Sequence, residues 1–174
     1  FGKNKFNMIT FMQSFLQQLE HEQLGTRKML ALVPADKMSW KPHERSMSMK
    51  DLATHLADIP TWITLAINTS ELDFAATPYN PKQCNNSQEL VEYFDSNVKD
   101  AEALLAKSED AILNDTWALK QAGTVLMQLS KLQTIQHSFG QLIHHRAQLG
   151  VYLRLLDIPI PGVYGPSADE QGKM

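Results

Sequence analysis

Apolar residues recur at three- and four-residue spacings through most of this chain, the pattern of helices with one buried face. Phe11, Phe15, Leu19, Thr26, Met29, Leu30 and Val33 mark the first such face, which predicts a helix from about Phe6 to Val33. Pro34 ends it, because proline lacks an amide donor and biases Val33 away from helical geometry. Residues 34–47 read as an ordered loop. Ser48 then offers an N-cap, with Asp51 three positions on, to a second helix whose stripe is Leu52, His55, Leu56, Ile59 and Ile63. Pro60 falls inside that stripe and predicts a bend rather than an end, since Trp62 to Ile67 stays apolar. The stretch from Asn68 to Asn86, with Pro78, Pro81 and several asparagines, reads as a loop.

A third helix opens at Asn86 or Ser87, carries Leu90, Phe94, Val98, Ala101 and Leu105 on one face, and closes near Lys107. The period then changes. Residues Trp117 to Lys120 and Thr124 to Leu129 flank Gln121-Ala122-Gly123, which predicts a short β-hairpin with Gly123 in its turn. A fourth helix runs from Lys131 to Leu156 on Ile135, Phe139, Leu142, His145, Leu149, Tyr152 and Leu156. Asp157 to Gly165, rich in proline and glycine, reads as extended coil. These elements predict an all-α fold: a four-helix bundle with a short β-hairpin between the third and fourth long helices. Residues 1–174 read as one domain.

Composition narrows the function classes. The 174 residues carry a formal net charge of −3 and are 43% hydrophobic, so no basic footprint points to nucleic acid. No apolar run reaches the length of a membrane span, and no signal-peptide pattern is visible. The chain opens on Phe1-Gly2 rather than Met, which reads as a trimmed or incomplete start. Cys84 is the lone cysteine, in keeping with a cytoplasmic setting. Neither a Gly-rich phosphate loop nor a G-x-S-x-G elbow is present.

Histidine supplies the candidate chemistry. His55 lies on the inward stripe of the second helix and His145 on that of the fourth. A buried imidazole needs partners for its nitrogens, and neutral imidazole is a common metal ligand. Gln141 stands one turn before His145 on the same face, and Gln148 and Tyr152 continue that edge. Two imidazoles and one amide oxygen would suit Zn²⁺ or Ni²⁺ weakly. Two hydrogen-bonded core histidines fit the same pattern. His144 points about 100° away from its neighbour and reads as peripheral. His137 lies two turns before His145, too far to share its ion, and His21 and His43 read as solvated. Trp40 and Trp62 read as core or rim packing.

Several segments together resemble the DinB family, the damage-inducible group within the DinB/YfiT-like metalloenzyme superfamily. They are Glu22 to Arg27 before Val33-Pro34, Trp40 to Glu44, Ser46 to Ser48 leading to Leu52-Ala53-Thr54-His55-Leu56-Ala57, and Ile59 to Trp62. Leu142 to Leu149 with Tyr152 to Arg154, then Val163 to Glu170, complete the set. The resemblance implies a four-helix bundle, a homodimer, and a divalent metal held by three histidines: one on helix two and two, four apart, on helix four. His55 matches the first and His145 the last, while Gln141 stands at the middle position, so this site departs from the family pattern. The resemblance also implies a metal-dependent enzyme of unassigned reaction on a small-molecule ligand, relatives in the wider superfamily being S-transferases or isomerases that work with a low-molecular-weight thiol. A bundle that has lost its metal and binds a small molecule or protein partner through the same cleft is the alternative. Glu22, if it faces the site, would orient His55 or an entering water; on an outward face it is a solvated helix residue. The segment from Tyr164 to Glu170 either closes the bundle mouth or docks as a tail.

Overall fold

The computed structural model describes residues 8–77, 80 and 82–171. Within them, helix α1 spans Phe11–Ala31. It starts later than the apolar periodicity suggests because Thr10 and Gln13 form a reciprocal capping box there. The carboxylate of Asp110 also accepts from the amides of Phe11 and Met12 at 2.9 and 3.0 Å, satisfying donors that a helix start leaves open. Phe6 itself lies outside the described residues. The loop after Pro34 contains one 3₁₀ turn, Ala35–Lys37.

Ser48 caps helix α2 (Met49–Asp58) by accepting from the amide of Asp51 at 3.0 Å. Helix α3 (Pro60–Asn68) follows at once. Ile59 between them keeps right-handed helical angles, so Pro60, which has no amide hydrogen to donate, interrupts the hydrogen-bond ladder without turning the chain away. Helix α4 (Ser87–Lys107) starts where Asn86 accepts from the amide of Glu89. Helix α5 (Lys131–Leu155) starts on a Ser130–Gln133 capping box. Helix α1 packs on α4 and α5, and both α2 and α3 pack between α4 and α5. Leu19, Leu30, Leu52, Leu56, Leu90, Phe94, Ile135 and Leu149 form the shared core.

Strands β1 (Glu71–Asp73), β2 (Thr116–Gln121) and β3 (Thr124–Ser130) make one small sheet, so the fold is helix-dominated rather than purely helical. Strand β1 falls in the segment expected to be a loop. It pairs parallel with β2, and β2 pairs antiparallel with β3. Ala122 and Gly123 both take positive φ, 50° and 78°, the geometry of a two-residue turn matching strand twist. Asp73 on β1 accepts from both turn amides, at 2.9 and 2.7 Å. Three residues suffice for β1 because its carboxylate reaches past the end of the strand to bind the hairpin. Pro78 and Pro81, expected loop markers, lie outside the described residues.

Beyond α5 the chain reverses at Asp157, also at positive φ, and runs back along α1 and α5 to the short helix α6 (Ala168–Gln171). Arg154 grips Asp169 through both guanidinium nitrogens, at 2.9 and 2.6 Å. Val163 packs so closely on α1 that a Cβ on Gly25 would meet its Cγ1 at 2.8 Å. Gly25→Ala is therefore expected to destabilise the protein by about 1–3 kcal/mol through overpacking. Urea denaturation reads the loss, and adding Val163→Ala should recover most of it; no recovery would place the strain elsewhere.

Candidate metal centre

Helices α2 and α5 bring His55 and His145 together. Their ring centroids lie 4.6 Å apart, edge to face at 79°. His145 is held along its own helix by two amide side chains. Its Nδ1 lies 2.9 Å from Gln148 Oε1 and its Nε2 lies 2.9 Å from Gln141 Oε1. The first contact, one helical turn away, fixes the ring orientation, the role that outer hydrogen bonds play for metal-binding imidazoles. The second is unusual. With the Nδ1 hydrogen donated to Gln148, Nε2 and Gln141 Oε1 are two acceptors facing each other. A proton, a cation, or an amide turned to present its NH₂ relieves that arrangement.

Burial holds His55 below the ordinary imidazole pKa, reinforced by His145 and opposed by the Asp58 carboxylate. Burial likewise depresses His145, with Gln148 opposing and His144 adding to the effect. Both rings are thus favoured neutral, the form that binds a metal. The unfolded chain takes up these protons near pH 6.5, whereas the folded protein takes them up at lower pH. Stability is then complete above about pH 6.5 and is lost as pH falls through the folded values. The urea midpoint should decline between about pH 7.5 and 5, above the range where Asp73 and Glu89, both with depressed pKa values, are protonated. His145→Asn should flatten that decline, and a wild-type midpoint unchanged across the interval would contradict the electrostatics.

A cleft of about 210 Å³ opens beside the pair. His55, His137, Ser138 and Gln141 line it on the polar side. Ile59, Trp62, Leu119 and Met127 form the apolar side. Leu119 and Met127 are cross-strand partners on β2 and β3, and the register shifts directly after this pair, leaving Leu126 on β3 as an extra residue. The hairpin is therefore one wall of the site. Trp62 stands 6.3 Å from the buried Trp117 ring, whose Nε1 donates to Thr69 Oγ1 at 3.0 Å.

Among 174 residues, the family-model match covers residues 8–173 and is described as the DinB family. The chain belongs to the DinB family. Among solved structures, a DinB-like protein from Bacillus subtilis is similar at 16% identity, with a TM-score of 0.68, over 86% of this chain and 97% of that one. A DinB-like protein from Bacillus cereus is 20% identical, with a TM-score of 0.66, over 90% and 100% of the two chains. At these identities the likeness speaks for the fold alone. No curated protein matches the chain.

Against the DinB pattern, His55, Gln141, His145 and Gln148 form one cluster, and two expected pocket residues stand apart from it. Tyr152 turns to the loop before α2: its hydroxyl donates to the Met47 carbonyl at 3.1 Å and its ring meets Trp40 edge-on at 5.5 Å. Glu22 neither orients His55 nor faces solvent. It is buried, 2.6 Å from Arg146 Nη1, and accepts from the Tyr164 hydroxyl at 2.8 Å. The segment from Tyr164 to Glu170 therefore docks on α1 and α5, and His21 stacks on the Tyr164 ring. His137 joins the cleft, though not the His145 cluster. Its i, i+4 spacing to Gln141 was the available signal. Among the described residues, no group of three or more His, Cys, Asp or Glu side chains is arranged to hold a metal.

Proposed function

We propose that this DinB protein binds a divalent ion, zinc or nickel, weakly through His55, Gln141 and His145, and processes a small molecule in the adjoining cleft. The supporting observation is the 2.9 Å separation of His145 Nε2 and Gln141 Oε1, with the His55 ring alongside. Donors bound to one ion at about 2.1 Å stand about 3 Å apart at right angles and about 3.4 Å apart in the tetrahedral arrangement that zinc prefers, so zinc would need the two groups to part slightly. The donor set comes near the required spacing and is poor in strength, since a neutral amide oxygen replaces an imidazole or carboxylate. A bound ion would supply Lewis-acid polarisation of a substrate atom. Gln148 orients His145, and burial keeps both imidazoles unprotonated.

The reading includes a four-helix bundle with α2 and α3 as one kinked member, a single domain, a homodimer and a cytoplasmic setting. Among the described residues, no helix is long and apolar enough to cross a membrane. Metal analysis after dialysis against Zn²⁺ or Ni²⁺ tests the centre. Uptake approaching one ion per chain that disappears in His55→Ala supports it. No uptake means that an amide hydrogen bond closes the cluster and that the cleft works without metal. Sedimentation equilibrium reads the oligomeric state.

A further inference from the structure

We infer that two copies of this chain meet along the outward face of α5; the inference rests on the homodimer in the proposed function and supplies its surface. Surface helices ordinarily carry charge on the side away from the core. Here α1 exposes Glu20, Arg27 and Lys28, and α4 exposes Glu92, Lys99, Asp100 and Lys107. Helix α5 is different. Among the described residues of this 25-residue helix the one exposed charge is Arg154, and its guanidinium is already bound to Asp169. Gly140, His144, Ala147, Val151 and Leu155 occupy the exposed side instead, with Val151 and Leu155 58% and 57% open. Depletion of charge together with exposed aliphatic groups is the composition of an interface centre.

Gly140 gives independent support. A Cβ there would meet nothing within 4 Å, so packing within the chain does not require glycine, although glycine weakens a helix interior. It leaves bare backbone for another helix to approach. Antiparallel two-fold packing centred between Gly140 and Val151 sets each copy's Gly140 against the other's Val151, and Ala147 against His144, small side chains opposite larger ones. The absence of charge favours a second copy as the partner, because identical faces meet there without like charges opposed. Along α5 the face measures roughly 37 Å by 10 Å, or roughly 370 Å², whereas a stable dimer needs about 800 Å² from each partner. The neighbouring surfaces are apolar too. A groove of about 410 Å³ runs beside α5, between Ile143, Val151 and Leu155 and the side chains of Ile160 and Val163. The β2–β3 hairpin, which leads directly into α5, exposes Val125 and Leu126. Antiparallel packing carries the hairpin of one copy toward the groove of the other, so the contact extends at both ends.

Sedimentation equilibrium of the whole chain at micromolar concentration should give a dimer. Ala147→Glu and Val151→Glu should each raise the dimer dissociation constant at least about a hundredfold, because each places like charges inside the contact. Both positions are exposed in the single chain, so the circular dichroism melts should stay cooperative. Lys99→Glu, on the outward side of α4, should leave the dimer intact. Ala147→Glu and Ala147→Lys, each monomeric alone, should form a dimer when mixed, a recovery that misfolding cannot produce. A wild-type dimer that the α5 variants leave intact, or a mixture that stays monomeric, overturns this inference and leaves the homodimer to another face. A wild-type monomer overturns the homodimer and this surface together, and neither result touches the metal reading.

Discussion

Arg146→Met is expected to lower the unfolding free energy by about 3–5 kcal/mol, the usual consequence of stripping one partner from a buried ion pair. The side chains of Arg146 and Glu22 are 4% and 6% exposed. Besides the carboxylate, Arg146 donates to the Glu22 carbonyl at 3.0 Å, to Thr26 Oγ1 at 3.3 Å and to the Tyr164 hydroxyl at 2.6 Å. Removing the guanidinium leaves an anion inside the protein with only the Tyr164 phenol to stabilise it. The double variant Glu22→Leu/Arg146→Met removes both charges and should restore much of the loss, because a buried pair often contributes little over well-packed apolar groups. Tyr164→Phe should cost less, about 1–2 kcal/mol, for its lost hydrogen bonds. Urea melts at pH 7 decide the matter. A single Arg146→Met variant within about 1 kcal/mol of wild type would falsify the account of a tightly desolvated pair.

Gln141→His should raise zinc or nickel affinity at least tenfold, or about 1.4 kcal/mol. The substitution replaces a neutral oxygen by an imidazole at a position whose side chain already lies beside His145 Nε2, completing the three-ligand set usual for catalytic zinc. A bound ion would then no longer depend on an amide whose NH₂ face is useless to it. Isothermal titration of both proteins gives the ratio directly. Equal affinities would mean that the three side chains do not converge on one point in solution. Gln141→Leu, which removes the oxygen and keeps the bulk, should bind less metal than wild type.

Much of the helical framework was legible because its signals are local. Asn86 announces the start of α4 and the apolar period that of α5 at Lys131, and the structure begins both helices there, the second on a Ser130–Gln133 capping box. The later start of α1 is also written locally, in Thr10 and Gln13, where the capping box overrides the apolar spacing that continues upstream. Strand β1 was not legible. Three residues carry no period, and β1 exists through pairing with β2 more than forty positions away and through Asp73 reaching the hairpin turn. Of the candidate site, the meeting of His55 and His145 followed from their inward stripes. Glu22 was misread although its own stripe contained the answer. It continues the Phe15, Leu19, Thr26, Met29 face, just as Arg146 continues Leu142, Leu149 and Leu153. Opposite charges each embedded in an apolar stripe predict each other. The hairpin's part in the cleft was hidden because it depends on the cross-strand register of Leu119 with Met127, which an extra residue on β3 shifts and which leaves no periodic trace.

The Glu22–Arg146 contact also dictates an order of events at the ribosome. Arg146 is 124 residues downstream of Glu22, so at about 5–20 residues per second its codon is read some 6–25 s later. Throughout that interval α1 exists as a nascent amphipathic segment bearing an unneutralised acid on its stickiest side. That acid keeps the early helix hydrated and discourages premature association with other emerging chains. The arrival of the arginine then converts the same group from a solubilising tag into a closure signal.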